Sequence, residues 1–190
     1  MQFKNTIQAM QKMGNNVVRE GRAILKKKKK QTKQNTLYKD FDYLVTSDKS
    51  SVVLEFEFGR ANDYWAFVDE GVKGAGGYKG SGKMRGGKSD FRFGSGKYRG
   101  QWGEFKSSII NWIKNKPIRL RGAKGKFIEK NAQNIKSVAY LIQRAIYQRG
   151  LQRTQFFSKP FTDELRKETN KIVKAFADDL ELAIEQTLEK

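Results

Sequence analysis

Between Phe41 and Phe58 the apolar side chains alternate, and on either side of that stretch they recur at helical spacing. This change of period limits the chain to a mixed fold. Phe41, Tyr43 and Val45 stand two apart, as do Val52, Leu54, Phe56 and Phe58, with a polar turn at Ser47–Ser51. Alternation of that length marks two half-buried strands in a hairpin. Glu55 and Glu57 fall on its opposite, solvated face. Before the hairpin, Phe3, Ile7, Met10, Val17 and Ile24 share one face of a long helix, with Gly14 and Gly21 on the same stripe. Each glycine lowers helix propensity by about 1 kcal/mol, so a closely packed backbone is expected against it.

After the hairpin, residues 63–70 read as a short helix closed by Gly71, with Tyr64, Phe67 and Val68 toward the sheet. Residues 104–116 form another helix, stopping before Pro117, and residues 131–149 a third, ending at Gly150. From Thr162 to Lys190 a long amphipathic helix presents Leu165, Ile172, Phe176, Leu180, Ile184 and Leu188, with Thr162 as N-cap. The expected fold is α+β: a long N-terminal helix, a small antiparallel hairpin or sheet, a long basic glycine-rich insertion, and C-terminal helices. One domain over residues 1–190 is expected, with 71–103 as a flexible arm or loop.

Lysine and arginine number 39 against 20 acids, a net charge of +19. A field of that sign attracts nucleic acid, anionic membrane or acidic protein. The chain has no cysteine and no histidine, which excludes disulfides, thiol chemistry, Cys/His zinc sites and imidazole-based triads. No run approaches the ~18 apolar residues of a membrane span, and residues 1–16 carry no secretory pattern. A product that works inside the cell, away from membranes, is expected.

Residues 71–103 hold most of the chemistry worth testing. "GGYKGSGKM" places Gly77, Gly82 and Lys83 as a phosphate-binding P-loop would, but Met84 replaces the hydroxyl residue. Neither a buried strand before it nor a helix after it is readable, so the match is taken as accidental in a segment dense in glycine and lysine. The carboxylate pairs Asp69/Glu70, Asp178/Asp179 and Glu55/Glu57 are read as structural or solvated, because adjacent helical side chains diverge. The chain is therefore read as neither an enzyme nor a holder of metal or cofactor.

Two physical readings of the segment stand level. Tyr78, Phe91, Phe93, Tyr98 and Trp102 alternate with cations that include Lys83, Arg85, Arg92 and Arg99. Cations meet phosphates and aromatics stack on bases, so the segment suits single-stranded DNA or RNA. It equally suits an assembly arm whose aromatics anchor in a partner's pockets and whose cations answer acidic surface. The run Lys26, Lys27, Lys28, Lys29 and Lys30 reads first as a solvated helix end, and otherwise as a surface facing DNA or an acidic partner.

"DYWAFVDEGVKG" directly after an apolar hairpin, then a long loop, then "YLIQRAIYQRGLQRTQFFSKPF" resembles the tail-completion or head–tail connector (neck) proteins of tailed bacteriophages. Its specific words are confined to Asp63–Gly74 and Tyr140–Phe161, with Glu70–Gly71 and Pro160–Phe161 the most recognisable. The element order extends the likeness over the chain, although residues 71–103 are longer and more basic than the pattern and the last helix is extended. The resemblance implies a long helix on a small sheet, an insertion, and helices that close the domain. It further implies a homo-oligomeric ring between portal or adaptor and tail proteins, with genomic DNA in the lumen. The protein would then belong to the virion neck, and to the host cytoplasm before assembly. The nucleic-acid-binding protein remains the alternative.

Overall fold

The computed structural model describes residues 3–29, 35–76, 88–94, 102–115, 117–122 and 125–188, with the side chains of residues 29 and 102–104 excepted. The fold is α+β, helix-rich, with small antiparallel sheets. Its contacts divide the chain into two compact units, Met1–Asp69 with Thr154–Lys190, and Glu70–Arg153.

In the first unit the long helix α1 (Lys4–Lys29) leads through the short α2 (Thr36–Asp40) into β1 (Asp42–Ser47) and β2 (Val52–Glu57). The strands pair antiparallel from Asp42↔Glu57 to Ser47↔Val52. Asp48 closes the turn: its carboxylate accepts the Ser50 and Ser51 N–H groups, each at 2.7 Å. Tyr43, Val45, Leu54 and Phe56 point inward and Glu55 and Glu57 outward, as strict alternation requires. A 3₁₀ turn (Gly59–Ala61) and α3 (Trp65–Glu70) follow, and α6 (Ser158–Leu188) completes the unit.

The core here is aromatic. Phe41, fully buried, stacks on Phe58 at 5.3 Å and meets Phe156 edge-on at 5.3 Å. Phe58 in turn stacks on Trp65 at 4.2 Å. Such pairs contribute roughly 0.5–1.5 kcal/mol each beyond the area they bury.

Helix α1 is held by the hairpin and by α6, so its buried arc is wider than a single stripe. Phe3 and Val17 are buried as the spacing predicts, but Ile7, Met10 and Ile24 are only half-buried. Thr6, Met13, Val18 and Leu25 are buried beside them. The two glycines serve contacts within the chain. A Cβ at Gly21 would lie 2.6 Å from both the Phe156 carbonyl oxygen and the Phe41 ring. One at Gly14 would enter the Tyr43 ring, so there the neighbour is a side chain and not a backbone.

The last helix begins earlier than Thr162. It starts at Ser158, and Thr162 lies within it, its hydroxyl donating to the Ser158 carbonyl at 2.8 Å. The cap comes from far along the chain: the Asp69 carboxylate accepts the N–H groups of Phe157 at 2.8 Å and Ser158 at 3.3 Å. Pro160 sits in the first turn, where the backbone N–H has no intrahelical partner to lose.

In the second unit α4 (Trp102–Asn115) packs on α5 (Ala132–Arg149). Ile109, Ile113, Leu120, Ile135 and Ala139 form a small aliphatic core. Between the helices β4 (Leu120–Arg121) pairs with β5 (Phe127–Ile128). Asn131 caps α5 by accepting the Asn134 N–H at 2.8 Å. The two-residue strands β3 (Val72–Lys73) and β6 (Gly150–Leu151) pair antiparallel.

Candidate assembly interface

The basic glycine-rich segment leaves and rejoins one tied-down place. Beyond its pairing with β6, Lys73 donates its N–H to the Phe91 carbonyl at 2.8 Å and accepts the Phe93 N–H at 2.9 Å. This forms a parallel bridge to Arg92. Ala75 and Gly76 donate to the Tyr147 and Gln148 carbonyls at 2.9 and 3.2 Å. Buried Ser89 donates its hydroxyl to the Gly71 carbonyl at 2.8 Å and accepts the Phe91 N–H at 3.1 Å. Glycine is required where these strands cross. A Cβ on Gly150, which holds φ at 86°, would collide with the Val72 carbonyl. Residues 71–76 and 88–94 thus form a hydrogen-bonded root within the span expected as a flexible arm or loop.

The root places only part of the predicted set. Arg92 is exposed, while Phe91 and Phe93 are half-buried. The Phe93 ring lies 5.9 Å from that of Tyr147, so it packs within its own unit. Trp102 opens α4 and does not belong to a loop. Tyr78, Lys83, Arg85, Tyr98 and Arg99 lie outside the described residues, as do Gly77, Gly82 and Met84 of the P-loop-like stretch. Its described flanks are a two-residue strand and a turn with a single bridge; no helix follows it there to aim N–H groups at a phosphate.

Lys26 and Lys27 are exposed in the last turn of α1. Lys28 donates to the Thr154 carbonyl at 2.7 Å, which ties the helix end to the chain entering α6. The Lys29 side chain and Lys30 lie outside the described residues.

The carboxylates act as acceptors for backbone and side chains. Asp69 caps α6, as above. Asp179, from far along α6, caps α1: it accepts the Thr6 N–H at 2.8 Å, the Thr6 hydroxyl at 2.7 Å and the Asn5 N–H at 3.1 Å. Burial pushes the Asp179 carboxyl up, but these hydrogen bonds to the charged form outweigh it and hold the group below its ordinary range. Glu164 follows the same pattern. Burial raises it, and the Lys167 ammonium at 2.9 Å and the Asn16 amide at 2.7 Å bring it down further. Glu168, also buried, takes the Lys171 ammonium at 2.8 Å. Among the described residues no group of three or more acids could hold a metal ion.

Sequence reasoning missed what α6 does with its apolar stripe. Leu165, Phe176, Leu180, Ile184 and Leu188 are 43, 37, 38, 58 and 80 % exposed. Of the predicted face, Ile172 packs against the core and Phe176, though partly exposed, stacks on the buried Phe3 beside α1 at 5.7 Å. Glu164, Glu168 and Asp179 take the inward positions instead. The signal available was a second register of carboxylates on the same helix. A similar exposed patch occurs in the second unit, where Lys106, Lys136, Ser137, Tyr140 and Leu141 line an open groove on α4 and α5. Tyr140 and Leu141 are 46 and 60 % exposed there.

No protein-family model, curated protein or solved structure matches this chain. Among the described residues no helix is long and apolar enough to cross a membrane.

Proposed function

We propose that the chain is a structural virion protein of a tailed bacteriophage. It is one subunit of a homo-oligomeric ring in the neck that joins portal or adaptor to tail proteins and lines the DNA passage. On this reading it is not an enzyme, it assembles from the host cytoplasm, and residues 71–103 are its arm to a neighbour. One observation carries the reading: α1 lies on the β1–β2 hairpin and is closed by α6, while the segment 71–103 is tied by a hydrogen-bonded root at 71–76 and 88–94. That is the order of parts the neck resemblance implies. Much of the positive charge meets acidic neighbours, because phosphate contacts that accumulate along a lumen would hinder DNA exit.

Replacing residues 77–87 by a short Gly-Ser link tests the proposal. The circular dichroism and melting of the variant are expected to match the parent, and ring formation with portal and tail proteins is expected to vanish. Undiminished rings would remove the arm's role. A parent that never associates with itself or with neck proteins would remove the whole reading. The net charge of +19 favours the nucleic-acid-binding alternative. A chain that stays monomeric beside neck proteins yet retains oligonucleotides with steep salt dependence would establish it.

A further inference from the structure

Two exposed surfaces of this chain complement each other. Ala177, Leu180, Ile184 and Leu188 are spaced three, four and four apart, so they share one side of α6. Glu181 and Glu185 stand immediately next to that side and are exposed, as is Asp178. From Ala175 to Leu188 there are four acids and no lysine or arginine, in a chain that is strongly basic elsewhere. The groove on α4 and α5 has the opposite character: Tyr140 and Leu141 form an exposed apolar floor flanked by Lys106 and Lys136.

We propose that the distal half of α6 docks into the α4–α5 groove of a second copy of this chain. Copies bearing +19 repel one another as wholes, so an acidic apolar helix against a basic apolar groove supplies the local attraction that association needs. The charges set orientation and encounter while the apolar side chains leave water. Each copy uses a different surface on its two sides, which makes the contact heterologous and repeatable around a closed ring. A single such contact is small; ring closure makes the last ones intramolecular and raises the total strength without new surface. The proposal deepens the ring reading and rests on it for closure, but its test needs only the purified chain.

The chain has no cysteine, which makes disulfide trapping clean. Leu141→Cys and Ile184→Cys are placed in separate full-length chains, mixed and mildly oxidised. Both positions are exposed, so the fold is expected to persist, with circular dichroism as the check. The mixed pair is expected to give cross-linked dimer well above a control pairing Ile184→Cys with Val53→Cys, an exposed site on β2. Yield no higher than the control overturns the proposal. So does a doubly substituted chain that closes only on itself at low concentration, since the contact would then lie within one copy.

Charge exchange gives a second, independent reading. Lys106→Glu with Lys136→Glu is expected to weaken self-association at least about tenfold in sedimentation. Glu181→Lys with Glu185→Lys in the mixed partner is expected to restore it. A loss without restoration, or no loss, overturns the pairing. Self-association that passes these tests while portal and tail proteins leave the ring unbound would sink the neck reading alone. Neck assembly that persists without this cross-link would sink the docking alone.

Discussion

At its root α6 is held by phenylalanines, and along its length by carboxylates. Phe156 and Phe157 carry the chain into the helix against Phe41, Phe58 and Trp65, with ring centroids 5.3–6.3 Å apart. Farther along, buried Glu164 and Asp179 accept hydrogen bonds from Asn16, Asn5 and Thr6 of α1. Buried Glu168 takes Lys171 of its own helix, and Phe176 adds one stack on Phe3. The first seam is non-directional and insensitive to pH. The second depends on acceptors that must stay ionised and must meet particular donors, which fixes how the two helices slide and rotate against each other. Beyond Phe176 the apolar stripe, Leu180, Ile184 and Leu188, is thereby left outside.

The largest effect is expected at the aromatic seam. Phe41→Ala should cost about 3–5 kcal/mol by removing rings from a full core. Urea unfolding should give the same loss at pH 7 and pH 5, whereas a loss that varies between them would erase the distinction between seams. Next comes the junction of the two. Asp69→Ala leaves the Phe157 and Ser158 N–H groups unanswered beside a buried position, at a cost of about 2 kcal/mol. Asp69→Asn, which keeps one acceptor oxygen, should lose less, and equal losses would show that these hydrogen bonds are not what the carboxylate supplies.

That junction also separates what the sequence discloses from what it hides. The hairpin and the stops at Pro117 and Gly150 are legible because alternation, proline and glycine act locally. The start of α6 is not, because its cap, Asp69, lies 88 residues before Phe157, and Thr162 offers a plausible local substitute. The inward face of α6 is hidden for a related reason. An apolar stripe at helical spacing predicts burial, and no local rule says that Glu164 and Asp179 will find Asn16 and Thr6. Pairings of two residues, such as β3 with β6, have no period to read. Of the interface, composition marked the segment but not its root: Phe93 packs on Tyr147 and Trp102 belongs to a helix.

The carboxylate seam should show in acid. The Asp179 and Glu164 carboxyls lie below their ordinary values in the folded chain. Their contribution is therefore complete above the unfolded carboxylate range, about pH 4, and is lost as pH falls through the lower folded values. Asp179→Asn should cost about 1 kcal/mol at neutral pH and flatten part of the parent's acid destabilisation. Unfolding curves between pH 7 and pH 2.5 decide it, and an unchanged slope would deny Asp179 this role.

The smallest effect on stability belongs to the outward stripe, and its smallness is the informative part. Ile184→Gln at a buried site would be expected to cost about 2–5 kcal/mol, as deletion of a core aliphatic chain does. At a position already 58 % exposed it should change the stability of the dilute chain by no more than about 0.5 kcal/mol. The same substitution should weaken association at high concentration, because there the side chain leaves water against another copy. Denaturation repeated across a wide range of protein concentration separates the two. A concentration-independent loss above about 1 kcal/mol would mean that Ile184 is buried within its own chain, and the contrast between the inner and outer sides of α6 would fail.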